Sequence, residues 1–368
     1  METKKNKTTK ADRFLFGLIL TLVVSGFVIF SSAALGQIGR TGASFSTVAL
    51  KQLFILCTGF LMMVIASNIP YKTWRKYSPV LFLVGLILTS LVFVPDLGFG
   101  AGGAKRWLNL QFTTFQPSEF LKFSFVIFLA AWISARKEKI RSLKEGFLPF
   151  LIFLGTIGFL LIKQPDTGTF MVIVSAALGI FIVGGGKWSH ILSIFILGIS
   201  MVIILALTRQ YVMDRLTTFL RPGEDSLGTS WQINQSLIAI GSGGLLGRGF
   251  GQSIQKFNFL PEPIGDSIFA VAGEEFGFIG SSLLICLFML FGLWGLKIAG
   301  QTKDPFGRLL GVGFVILITA QSFINIGAMI GLLPLTGVPL SFISHGGTAL
   351  FFSLIEVGII LNISRQKN

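Results

Sequence analysis

Charge is what this sequence has least of. Only 12% of its 368 residues are Asp, Glu, Lys or Arg, against 52% hydrophobic residues. A soluble domain carries about 25% charge, so these side chains are too few to cover a water-facing surface. Polar stretches are equally scarce. The longest break between apolar runs covers residues 209–267, too short for a separate soluble domain. Cysteine is limited to Cys57 and Cys286, both inside apolar runs, which argues against a disulfide and provides no metal motif. With His190 and His345 as the only histidines, a histidine-rich metal site is excluded.

What the chain does contain is apolar sequence in lengths near the roughly 20 residues that a helix needs to cross a bilayer. Ten candidate spans cover residues 14–34, 48–68, 78–95, 118–134, 147–163, 168–184, 190–208, 268–296, 309–330 and 346–363. The expected fold class is an all-α polytopic membrane protein of about ten transmembrane helices. It forms a single domain over 1–368, with a basic tail at 1–13 and a large loop at 209–267 between helices 7 and 8. The first apolar run, from Phe14 to Leu35, exceeds a signal-peptide core and reads as a retained helix. A formal charge of +14 would point to nucleic acid on a soluble protein; here it reads as topology, with no nucleic-acid partner. Nineteen of the 30 Lys and Arg lie on the side that holds both termini, which makes that side cytoplasmic. Ten of the 16 acids lie on the other side, so chemistry is expected at the extracytoplasmic boundary.

Glycine is plentiful, at 44 residues. The runs Gly98–Gly103 and Gly241–Gly251 read as irregular backbone. Four segments on the outer side carry candidate chemistry. The first joins Ala104-Lys-Arg106-Trp to Gln116-Pro-Ser-Glu119 and Lys122. Glu119 and Lys122, three apart, share a helical face, either as a stabilising ion pair or as part of a site. The second, Lys163-Gln-Pro-Asp166-Thr-Gly-Thr, reads as a turn with Asp166 capping the next helix, and Lys163 as a cation near headgroups. The third is 209–267, where Arg209, Arg215, Arg221, Arg248 and Lys256 form a cationic set able to attract phosphate. It ends at Glu262 and Asp266. Asp266 is either an N-cap of the next helix or a carboxylate whose desolvation makes it a better base. The fourth, residues 331–348, contains two prolines, several glycines and Ser344, and reads as either a re-entrant cavity wall or an outer turn.

Taken in order, these motifs resemble those of the SEDS family (shape, elongation, division and sporulation; FtsW, RodA and SpoVE) over nearly the whole chain. The resemblance rests on Lys105-Arg-Trp with Gln116-Pro-Ser-Glu and Lys122, Gln164-Pro-Asp-Thr-Gly-Thr, Gln232 to Gly251, Leu260-Pro-Glu through Asp266 to Glu275, and Leu333-Pro-Leu-Thr-Gly through Gly347. Two segments depart from the family pattern: Ile264-Gly-Asp-Ser267 stands where many members read His-Thr-Asp-Phe, and His345-Gly-Gly-Thr348 where Tyr-Gly-Gly-Ser is common. The Pro-Glu-Pro and Gly-Asp-Ser-Ile-Phe-Ala-Val wording stands nearer the division branch, FtsW.

The resemblance implies a peptidoglycan glycosyltransferase of the bacterial cytoplasmic membrane, working on its extracytoplasmic face. Its substrate would be lipid II, and undecaprenyl diphosphate would leave with inversion at the sugar. It implies Asp266 as the essential aspartate and Glu119 with Lys122 as the membrane-embedded pair. Arg106, Arg215, Arg248 and Lys256 fall on matching basic positions. The implied partner is a single-pass class B penicillin-binding protein, alongside other divisome or elongasome membrane proteins. No cofactor is required by the motifs, although a divalent cation, Mg or Mn, bridging Asp266 and diphosphate fits the chemistry. Two other functions compete: a lipid II flippase, which needs a cavity reachable from both faces, and a non-catalytic membrane scaffold.

Overall fold

Polar side chains decide which helices stand at the centre of this bundle, because a bare polar group in an apolar medium costs roughly 2–7 kcal/mol. The computed structural model describes residues 11–41, 45–101, 104–109, 114–222, 228 and 230–365. The basic tail through residue 10 and part of the 209–267 loop lie outside the described residues. The helices are α1 (Arg13–Thr41), α2 (Phe45–Asn68), α3 (Tyr71–Leu91), α4 (Pro117–Ser134), α5 (Leu148–Lys163), α6 (Thr167–Val183), α7 (Trp188–Thr208), α8 (Gln210–Leu220), α9 (Trp231–Ser242), α10 (Ile268–Gly300), α11 (Pro305–Met329) and α12 (Gly347–Ser364).

Each of the ten expected spans falls on one of these helices. Eight helices are long and apolar enough to cross a membrane; α3 and the shorter α6 coincide with the other two spans. The innermost helices are α4, α11 and α12, which carry Glu119 and Lys122, Gln321 and Asn325, and Glu356 and Asn362. The least buried spans, α2 and α7, stand at the periphery. α11 packs against α4, α6, α10 and α12, and α2 lies along α12.

Three elements within the predicted loops are ordered in ways the composition did not show. Gly98–Gly103 begins as a strand rather than irregular backbone. β1 (Gly98–Ala101) pairs antiparallel with β2 (Ala104–Asn109), which pairs with β3 (Thr114–Phe115). Within 209–267, α8 is a short amphipathic helix and α9 turns into the bundle. Behind α9, Gly243 meets the Gly273 carbonyl and Gly247 meets that of Glu275, so residues 231–267 form a re-entrant hairpin beside the start of α10. Trp231 closes the hairpin mouth by donating from Nε1 to the Phe259 carbonyl at 2.9 Å.

The segment after α11 is also re-entrant. Ser341 Oγ donates to the Ile318 carbonyl at 3.4 Å, and Gly26, midway along α1, meets the Phe342 carbonyl. Ile318 lies roughly 16 Å below the end of α11 at a rise of 1.5 Å per residue. Both re-entrant segments start from the end of the bundle that holds Asp266.

A close backbone approach between two helices sets a test of packing. A Cβ at Gly358 of α12 would stand 2.4 Å from the Met63 carbonyl of α2. Gly358→Val should destabilise the protein by about 1–3 kcal/mol through overpacking. Thermal unfolding in detergent measures it, and an unchanged midpoint would contradict this α2–α12 contact.

Candidate active site

Asp266 does not cap α10. Ser267 occupies the N-cap position, without a capping hydrogen bond, and Asp266 lies one residue earlier. Its carboxylate is therefore left for another role. Oδ2 accepts from Gln232 Nε2 at 3.2 Å, and the same amide donates to Ser267 Oγ at 3.1 Å. Oδ1 is enclosed and has no hydrogen-bond partner among the described residues. Burial pushes the Asp266 carboxyl up to about 6; the nearby Glu262 charge adds to the rise, while Gln232 and Arg215 oppose it. That value suits a base at neutral pH.

Two guanidiniums stand beside this carboxylate. Arg106 on β2 donates to the carbonyls of Gln164 and Pro165, and its Nη1 lies 3.9 Å from Asp166 Oδ1. Asp166 caps α6 by accepting from Thr169 N at 3.4 Å, so the turn reading holds and the cap also anchors Arg106. Arg215 on α8 lies within electrostatic reach of Arg106, Asp166, Asp266 and Tyr211. Gly337 marks the gap: a Cβ there would stand 3.8 Å from Asp266 Oδ2 and 3.9 Å from Arg106 Nη1. The second re-entrant segment therefore forms one wall of the site.

A buried ion pair supports that wall from below. Lys122 Nζ lies 2.9 Å from Glu119 Oε2, with both side chains almost fully enclosed. Lys122 also donates to Gln321 Oε1. Gln321 Nε2 holds the Pro339 carbonyl at 3.0 Å; one turn along α11, Asn325 Nδ2 holds the Val338 carbonyl at 2.8 Å and the Asp266 carbonyl at 2.7 Å. The pair thus supports both the wall and the backbone of Asp266. Ser344 does the same from the other side, its Oγ donating to the Gly265 carbonyl at 2.7 Å, while His345 N bonds the Ile264 carbonyl.

Gln232, Gln321 and Asn325 are the site residues that sequence reasoning missed. A signal existed: Gln321 and Asn325, four apart, are polar residues on one face of an otherwise apolar helix.

Other expected residues stand elsewhere. Lys163 is exposed, 4.5 Å above the Phe159 ring. The Glu262 side chain is exposed and acts on Asp266 through its charge, while its carbonyl accepts from Gly265 N and Ser267 N. Lys256 does not belong to a diphosphate-binding set: it is fully buried, with Nζ 2.7 Å from Glu275 Oε1. Arg248 is paired with Glu274 at 3.5 Å in the same second cluster. Neither cation joins Arg106 and Arg215: Lys256 is neutralised inside the α9–α10 hairpin, and Arg248, though exposed, faces Glu274. Beside the site, an apolar cavity of about 140 Å³ runs between α8, α9 and the segment after α11, lined by Phe219, Ile233, Leu237 and Leu335. Phe219 and Arg215 are one turn apart on α8.

Lys122→Met would leave Glu119 buried without its cation, at a cost of about 3–5 kcal/mol. The double variant Lys122→Met/Glu119→Gln should recover most of that loss in thermal unfolding. Equal stability of the single variant and the native chain would contradict the pairing.

Known proteins match most or all of this chain. Residues 12–368 match the FtsW, RodA and SpoVE family, described as cell cycle protein. Stage V sporulation protein E of Bacillus subtilis (strain 168) is 38% identical over 369 residues, covering 100% of both chains. A probable peptidoglycan glycosyltransferase FtsW of Geobacter sulfurreducens (strain DL-1 / KN400) is 37% identical over 308 residues, 84% of this chain and 83% of that one. A solved chain from a peptidoglycan synthase complex that coordinates polymerization and crosslinking superposes with a TM-score of 0.80 at 26% identity, covering 97% of this chain and 98% of that chain. The chain is a multi-pass membrane protein that belongs to the FtsW/RodA/SpoVE (SEDS) family.

Proposed function

We propose that this protein is a peptidoglycan glycosyltransferase that polymerises lipid II on the extracytoplasmic face of the membrane, and that Asp266 is its base. One observation carries the reading: a carboxylate that caps no helix keeps one enclosed oxygen unpartnered among the described residues, beside two guanidiniums at the mouth of the bundle. Asp266 takes the proton of the acceptor sugar's 4-hydroxyl. The freed oxygen attacks the anomeric carbon of the lipid-linked glycan from the face opposite the departing bond, which inverts the configuration. Undecaprenyl diphosphate leaves with both bonding electrons, and Arg106 and Arg215 match its charge. Such a leaving group needs no general acid, so one carboxylate suffices. The apolar cavity one turn from Arg215 suits the isoprenoid chain that follows the diphosphate.

Among the described residues no group of three His, Cys, Asp or Glu side chains is placed to hold a metal. The bare Oδ1 of Asp266 fits a divalent cation carried mainly by diphosphate oxygens, the mode in which magnesium uses one or two carboxylates. Such an ion would add charge neutralisation at the leaving group. The partner in this reading is a single-pass class B penicillin-binding protein that crosslinks the product. Transport is less well supported: Phe123, Phe314 and Phe352 pack together on the innermost helices α4, α11 and α12.

Purified protein with its partner and labelled lipid II tests the assignment. Asp266→Asn should lower polymer formation by at least about 100-fold while the fold persists. The base must be ionised, so kcat/KM should fall as pH drops through about 6. Long glycan strands from Asp266→Asn, or translocation of lipid II without polymer, would overturn the assignment.

A further inference from the structure

α10 is broken at Gly277, and the break is spliced by another part of the chain. Gly277 has φ 65° and ψ −164°, a region essentially reserved for glycine. In an unbroken helix, Phe278 N would bond the Glu274 carbonyl and Ile279 N that of Glu275. Here all four groups are re-paired with the turn after α9. Phe278 N donates to the Gly244 carbonyl at 2.9 Å, and Ile279 N to that of Leu245 at 3.1 Å. Arg248 N donates to the Glu274 carbonyl, and Gly249 N to that of Glu275, each at 3.0 Å. Four bonds to the turn replace these two intrahelical bonds, so none of the four helix groups is left unpaired.

Side chains fix which arrangement is held. Lys256 Nζ contacts Glu275 Oε1 at 2.7 Å, Ser32 Oγ at 2.9 Å and the Gly251 carbonyl at 2.9 Å. Glu274 accepts from Ser253 Oγ at 2.6 Å, Ile254 N at 3.0 Å and Gln255 N at 3.2 Å. Two acids and two cations, Arg248 included, are balanced within this lock, which also ties the hairpin to α1. Above the splice, residues 268–276 lead directly to Asp266. Gln232, which holds the Asp266 carboxylate, sits on the descending arm of the same hairpin.

We propose that Lys256, Glu274 and Glu275 are positioning residues for Asp266: they hold the splice at Gly277, which sets the direction of residues 268–276 and hence the placement of the carboxylate. The inference rests on Asp266 acting as the base. Closing the α10 bonds would rotate that segment and displace Asp266 from Arg106 and Arg215.

Two variants in the full chain, with its partner in nanodiscs, test this. Gly277→Ala disfavours the break and puts a Cβ 2.3 Å from Gly247 N. Lys256→Met/Glu275→Gln removes the Lys256–Glu275 half of the lock without leaving an unpaired charge. Hydrogen exchange of residues 244–249 and 273–280 reads the splice, and steady-state polymerisation of lipid II reads kcat and KM. Both variants should exchange faster there and lose kcat by about 100-fold, with KM nearly unchanged, as expected for a misplaced catalytic group. If Gly277→Ala fails to fold, Ser32→Ala, which removes one bond to Lys256, should show a smaller loss of the same kind. Faster exchange with unchanged kcat, or lost kcat with unchanged exchange, overturns the proposal. Asp266→Asn should leave splice exchange unchanged. If that variant remains active, the base assignment fails, and the exchange data still show whether the lock holds the splice.

Discussion

Burying charge in a low-dielectric bundle is the constraint on which the rest of this structure depends. An ionised group inside the bundle must be paired, and the pairing then fixes the elements that carry it. Glu119 with Lys122 draws α4 against α11 through Gln321. Lys256 with Glu275 draws the α9–α10 hairpin against α1 through Ser32. Asp266 lies between these two neutralised clusters and makes no ion pair among the described residues. Its position is set by neutral amides, Gln232 on its carboxylate and Asn325 on its carbonyl. The protein thus spends its buried charges on framework and leaves the Asp266 carboxylate held by groups that do not neutralise it.

This division explains why two re-entrant segments converge on one site. Backbone at membrane depth must find partners within the protein. The segment after α11 finds them in the amides of Gln321 and Asn325, and the turn after α9 finds them in the opened bonds of α10. Both segments carry glycines at positive φ where they approach their neighbours, Gly337 at the site and Gly247 at the splice. Chain that would otherwise be loop borders Asp266 at Gly337 and braces α10 at Gly247.

Much of this was legible in the sequence. The ten apolar runs marked the helices because bilayer thickness fixes their length. Glu119, Lys122 and Asp266 stood out as charges beside hydrocarbon, and Asp166 was correctly read as a cap. What could not be read was pairing across distance. Arg248 and Lys256 looked like members of one cationic loop, yet each meets a glutamate of α10, Glu274 and Glu275 respectively. Nothing in local composition separates a cation facing a ligand from one already neutralised. The β1–β2 hairpin was hidden by its glycines, and the α10 splice exists only as contacts between segments about thirty residues apart.

The most direct measurement is the structure of the full chain, with its partner, bound to a lipid II analogue whose anomeric bond cannot be cleaved. The account predicts the acceptor hydroxyl within hydrogen-bond reach of Asp266 and the diphosphate against Arg106 and Arg215. A diphosphate bound elsewhere, with Asp266 touching neither sugar, would contradict it.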